Sequence, residues 1–136
     1  MKKDILIPKV ENVAFVVAME QGENEEPAYN VYLLNLRDDI MEGIIVTSTG
    51  YGKNEQTGET IRTSTLRHCM EILLPNEAAK IEPIMPDVFG LTNEYFLSFW
   101  VNDVMYDKKF LFLPDAISEK NMIFIEKLGV KGVMIV

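Results

Sequence analysis

The sequence predicts an all-β protein folded as an antiparallel two-layer sandwich. Apolar stretches of four to nine residues, rich in Val, Ile, Phe and Tyr, recur between clusters of Gly, Pro, Asn and Asp, the pattern of short strands joined by turns. No amphipathic helix longer than about two turns can be drawn through the chain. Two aromatic-rich runs flank Asn102-Asp103, a pair suited to a two-residue turn with positive φ. At 136 residues, 48% hydrophobic and 25% charged, the chain has the length and composition of one ordinary domain. A domain of this size buries roughly two-thirds of the surface that its unfolded chain exposes, so it needs no disulfide or metal to fold.

The first strand is expected at Val13 to Met19, followed by a solvated acidic loop from Gln21 to Pro27. The second runs from Tyr29 to Leu36 with apolar residues on both faces, as in a central strand covered on both sides. A turn at Asp38 to Gly43 leads to a third strand, Ile44 to Thr49, and Gly50 through Gly58 reads as a glycine-punctuated hairpin loop. One strand, bulged if anything, covers Ile61 to Leu73, and Leu74-Pro-Asn-Glu77 turns into the fifth at Ala78 to Ile84. Met85 to Gly90 fits one helical turn, with Asp87 as its N-cap and Gly90 as a left-handed exit.

The turn at Asn102-Asp103 fixes a register. Val101 faces Val104, Phe99 Tyr106, Leu97 Lys108 and Tyr95 Phe110 on one side of the hairpin, while Trp100 faces Met105, Ser98 Asp107 and Phe96 Lys109 on the other. The first side is the better core candidate. Asp115 to Asn121 is expected as a short capped helix, and Met122 to Glu126 with Gly132 to Val136 as a last hairpin or edge pair. Eight or nine strands with one or two helical turns favour a sandwich, of immunoglobulin-like kind, over a doubly wound sheet. No repeat or linker divides the chain, so one domain is expected over 1–136.

Charge limits the partners. The net charge is −8, and only Arg37, Arg62 and Arg67 are arginines, so a phosphate backbone meets net repulsion and no nucleic-acid partner is expected. The apolar run ahead of Pro8 is too short for a signal peptide or a membrane span, which implies a cytoplasmic protein with no membrane role. The single cysteine, Cys69, has no partner within the chain for a disulfide.

No residue set meets the requirements of a known chemistry. Ser64 and His68, four apart on a strand, stand roughly 13 Å from each other, beyond hydrogen-bonding reach. His68 and Cys69 point to opposite faces and have no second His or Cys to complete a metal site. Asp38, Asp39, Asp87, Asp103 and Asp107 lack calcium-loop spacing, and Gly50-Tyr-Gly-Lys53 fits neither nucleotide-binding pattern. Tyr95, Phe96, Phe99, Trp100 and Tyr106 lack the basic and glycine residues of an RNA-stacking sheet and read as core packing. No catalytic residue, metal or cofactor is therefore assigned. Phe96, Trp100, Met105 and Lys109, with Asp107, form a candidate interaction surface, and Tyr51, Arg62, Arg67, His68 and Asp87 a candidate ligand pocket.

Several segments together carry a family resemblance: Asp4-Ile-Leu-Ile-Pro-Lys-Val-Glu-Asn-Val13, Asn30-Val-Tyr-Leu-Leu-Asn-Leu36, Thr65-Leu-Arg-His68, Lys80-Ile-Glu-Pro-Ile84, Phe89-Gly-Leu-Thr-Asn-Glu-Tyr95 and Tyr106-Asp-Lys-Lys-Phe110. Nearly end to end, the chain resembles a small uncharacterised bacterial family of the same length whose members often bear the label phenylalanyl-tRNA synthetase alpha subunit. The class II catalytic motifs are not in it. Arg37, Arg62 and Arg67 are followed two positions on by Asp39, Ser64 and Cys69 rather than Glu, and no arginine follows Gly50 and Gly52 until Arg62.

The expectation is thus a non-enzymatic interaction or structural module, a homodimer or the partner of another protein, with Val133-Met-Ile-Val136 as the first choice of dimer edge. A small-ligand binder or an enzyme without a recognised motif is the alternative, and an accessory role beside phenylalanyl-tRNA synthetase a third.

Overall fold

The computed structural model describes residues 8–136. The apolar run ahead of Pro8 and the first part of the segment beginning at Asp4 lie outside the described residues. The described residues form ten strands: β1 (Val13–Gln21), β2 (Pro27–Asn35), β3 (Met41–Lys53), β4 (Thr60–Arg62), β5 (Leu66–Leu73), β6 (Ala78–Pro83), β7 (Thr92–Val101), β8 (Val104–Phe112), β9 (Ile123–Ile125) and β10 (Val130–Ile135). Its only helical pieces among the described residues are 3-10 turns at Glu23–Glu25, Pro86–Val88 and Glu119–Asn121. Every pairing is antiparallel, in two sheets that make an all-β sandwich. The first sheet has the order β6-β2-β1-β10-β9; the second runs β4-β3-β7-β8, with β5 also paired to β3. No helix among the described residues is long and apolar enough to cross a membrane.

Alternation explains the core. Phe15 and Val17 of β1, Val31 and Leu33 of β2, Val46 of β3, and Tyr95, Leu97 and Phe99 of β7 all point between the sheets and are buried. Phe15 joins the layers, its ring centroid 5.3 Å from Tyr95 and 4.8 Å from Phe110. A second apolar cluster lies on the outer side of the first sheet, where Ala14, Val16 and Ala18 pack with Leu34, Ile125, Tyr32, Leu36 and Leu128. The expectation that the second strand is covered on both faces holds for this reason.

The hairpin register is as the turn dictates, from Val101 opposite Val104 to Tyr95 opposite Phe110. Asn102 and Asp103 have φ of 46° and 64°, the positive values that a two-residue turn with matching twist requires.

Other expectations are corrected. β3 is longer than predicted and absorbs Gly50 to Lys53, so the loop is confined to 54–59. The single strand expected over Ile61 to Leu73 is two, because the chain leaves the sheet at Thr63-Ser-Thr65. There the Thr63 and Thr65 hydroxyls bond to the Gly50 amide at 2.8 Å and the Thr49 hydroxyl at 2.8 Å, side chains competing locally with ladder pairing. Asp87 is no N-cap: Met85 holds that position without a side-chain bond, and Pro86, whose ring presets φ, starts the turn. Gly90 is not among the positive-φ glycines, which are Gly43, Gly58 and Gly129. The helix expected over 115–121 shrinks to Glu119–Asn121, and the Ser118 hydroxyl at its N-cap accepts from the Asn121 side chain at 3.2 Å rather than from a backbone amide of the turn. In β10 the pairing is uneven: β1 pairs with Gly132 to Ile135 on one side, whereas on the other β9 covers only Val130 to Gly132, so Val133 to Ile135 has no strand partner there among the described residues.

Candidate functional site

Two features of the second sheet stand out, an open apolar face and a cleft at its margin. The face follows from the hairpin register. With Tyr95, Leu97, Phe99 and Val101 turned inward, Phe96, Trp100, Met105 and Leu111 must turn outward, and they remain 39%, 44%, 47% and 37% exposed. Asp107 and Lys109 lie among them. The aromatics of this hairpin therefore divide: Tyr95 and Phe99 are core as read from sequence, whereas Phe96 and Trp100 are not. Trp100 rests on a bulge of β3, where Gly43 has φ of 53°, and a Cβ there would lie 3.2 Å from Trp100 Cδ1.

β8 is also the end of its sheet. In a two-residue hairpin the closing pair, Val101 and Val104, exchanges both backbone bonds, and bonded pairs then recur at every second residue. The amides and carbonyls of Met105, Asp107, Lys109 and Leu111 consequently point away from β7, and no other backbone group among the described residues bonds to them. Asp107 is opposite Ser98, and Lys109 Nζ reaches Glu94 at only 3.8 Å, a solvated contact of little worth.

The five residues expected to line a pocket do not share one, which is a correction. Tyr51 and Arg62 are paired neighbours on the outer face, the guanidinium 5.7 Å from the ring centroid, and the Tyr51 hydroxyl donates to Glu94 at 3.2 Å. Burial, with the nearby Glu94 carboxylate, pushes that hydroxyl's pKa up. Arg67 stands opposite Thr47, while His68, one position on, stands opposite Val46 and so on the inner side. Asp87 is exposed in the Pro86–Val88 turn. Strand alternation separates what sequence proximity had grouped.

His68 instead belongs to a cluster that sequence reasoning missed. Its Nε2 donates to Glu82 Oε1 at 2.7 Å, the same oxygen accepts from Ser48 Oγ at 2.9 Å, and Oε2 accepts from the Tyr95 hydroxyl at 3.0 Å. No hydrogen bond joins Ser64 to His68 among the described residues. Glu82 faces inward because β6 carries an irregularity: Val31 pairs with Glu82 but Tyr32 pairs with Lys80, leaving Ile81 as an extra residue. Strict alternation would have set Glu82 on the side opposite Ile81; the bulge turns both toward the interior. Burial, reinforced by the Glu82 carboxylate, drives the Tyr95 pKa far up, so its hydroxyl stays a donor.

Beside this cluster lies a cleft of about 340 Å³. Ser48, Glu82 and Tyr95 form its polar end, Ile84, Met85, Val88 and Leu66 its apolar walls, and Thr63 and Ser64 its rim. The break between β4 and β5 supplies that rim. A lone Glu in a Lys-Ile-Glu-Pro run carries no sequence signal for any of this.

No protein-family model matches the chain, and no curated protein matches it.

Proposed function

We propose that this acidic chain is a cytoplasmic, non-enzymatic interaction module whose primary partner is a second copy of itself, joined edge to edge through β8. The carrying observation is the self-complementarity of that edge. β8 spans Val104–Phe112, so full antiparallel overlap with a second copy places the two-fold axis at Lys108. In that one register Asp107 meets Lys109 of the second copy, twice by symmetry, and Met105 meets Leu111, also twice. The outward-pointing backbone groups of residues 105, 107, 109 and 111 pair with each other, as antiparallel bonding requires.

The two exposed apolar faces then merge into one surface centred on the joined β8 strands, with Phe96 and Trp100 on each flank. The cost is Lys108 opposite its own copy. Each Lys108 already leans over its own Phe110 ring, Nζ 5.0 Å from the centroid, which holds the two ammonium groups off the axis.

Sedimentation equilibrium tests the reading. The native chain is expected to show a concentration-dependent monomer–dimer equilibrium, Asp107→Lys to weaken it by about tenfold, and the double exchange Asp107→Lys with Lys109→Asp to restore it. A clean monomer at high concentration, or a dimer indifferent to all three substitutions, contradicts it.

A further inference from the structure

We infer that the cleft beside Glu82 binds a small molecule bearing a protonated primary amine next to an apolar group. The chemistry is set by what lines the cleft. Glu82 is its one charged lining residue, and its side chain is 11% exposed. Its one basic neighbour among the described residues is His68, a cation only when protonated, and no Lys or Arg lies against it. An anionic ligand would meet a half-buried negative charge, whereas an ammonium group would meet its complement in a site of reduced dielectric.

Acceptor capacity points the same way. A carboxylate offers about four lone-pair positions. Three are filled, two on Oε1 by His68 and Ser48 and one on Oε2 by Tyr95. The position left over is on Oε2, the oxygen that accepts from Tyr95, itself a lining residue. Ser48 and Tyr95 cannot turn away to donate to the ligand without giving up Glu82, so the end of the cleft presents acceptors already oriented by neighbours. His68 stays behind Glu82, outside the lining, as a positioning residue.

Size and walls define the remainder of the ligand. A volume of about 340 Å³ is at the small end of ligand sites and holds roughly ten non-hydrogen atoms. Ile84, Met85, Val88 and Leu66 suit a short aliphatic or single aromatic group leading away from the amine.

The test is an amide-detected NMR titration of the full chain with 2-phenylethylamine, beside 3-phenylpropionate as a probe with the same phenylethyl group and opposite charge. The amine is expected to shift the amides of residues 48–50, 63–66 and 84–88 saturably at concentrations below about 10 mM, and the carboxylate to shift none of them. Glu82→Gln should weaken amine binding by at least about tenfold. Should that variant fail to fold, Ser64→Trp, a change at an exposed rim position, closes the cleft mouth and should abolish the same shifts. Equal response to both probes, no saturable response to the amine, or amine binding that survives both substitutions overturns the inference.

Discussion

The outer faces of the two sheets both carry large apolar side chains and end in opposite states. On the first, small residues of β1 lie beneath large ones of β2: Val16 faces Tyr32 and Ala14 faces Leu34, so the larger side chains fold over the smaller and close the layer. The Tyr32 hydroxyl is then fixed by Glu20, at 2.9 Å. On the second, Trp100 faces Met105 and Phe96 faces Lys109, large against large, and neither can cover the other. The lesson is that apolar residues on both sides of a strand do not by themselves mean two buried faces. What decides is whether sizes across the ladder are complementary.

Substitutions can break or sharpen this contrast. The largest effect is expected at Gly132, opposite Ala18 in the closed layer, where a Cβ would lie 2.7 Å from the Val17 carbonyl oxygen and 2.8 Å from Val16 Cγ1. Gly132→Val should cost about 3 kcal/mol in chemical denaturation. Tyr32→Ala uncovers Val16 and leaves Glu20 and Asn30 to rearrange, and about 2 kcal/mol is expected. Trp100→Ala, the matching truncation on the open face, should cost the monomer under about 1 kcal/mol while weakening self-association.

The smallest effect is electrostatic. The Arg37 guanidinium, bonded to Asp39 through Nε at 2.7 Å and Nη2 at 3.1 Å, holds that carboxyl below its ordinary pKa. A depressed carboxyl stabilises the fold above the unfolded-state value near 4 and loses that contribution as pH falls through the lower folded value. Because Asp39 is 40% exposed, the loss should be below about 1 kcal/mol, and Arg37→Met should remove this acid limb from a plot of stability against pH.

Much of the fold was legible because alternation and one turn determine it. Asn102-Asp103 alone fixed the seven cross-strand pairs from Val101–Val104 to Tyr95–Phe110, and with them which of Phe96, Phe99 and Trp100 face the core. The reading failed where backbone irregularity or a polar side chain took over. The break at Thr63-Ser-Thr65 depends on hydroxyl bonds to Thr49 and Gly50, residues distant in sequence. Asn35 reads as an ordinary strand residue, yet it is fully buried and its amide donates to the carbonyls of Asp39, Leu73 and Leu74, tying the end of β2 to the β5–β6 turn. Glu82 was hidden for a third reason, since a bulge reverses the face that period-two counting assigns. Tyr51, Arg62 and Arg67 do share the outer face of the second sheet, but His68 turns inward and Asp87 lies in a separate turn, so the five line no common pocket.

Amide hydrogen exchange along β8 as a function of protein concentration tests the β8 pairing most directly. Self-pairing predicts that the Met105, Asp107, Lys109 and Leu111 amides, unprotected in dilute solution, become protected as concentration rises, while the Tyr106, Lys108 and Phe110 amides, bonded to β7 throughout, do not change. Exchange at those four odd-numbered positions that stays fast at every concentration would contradict it.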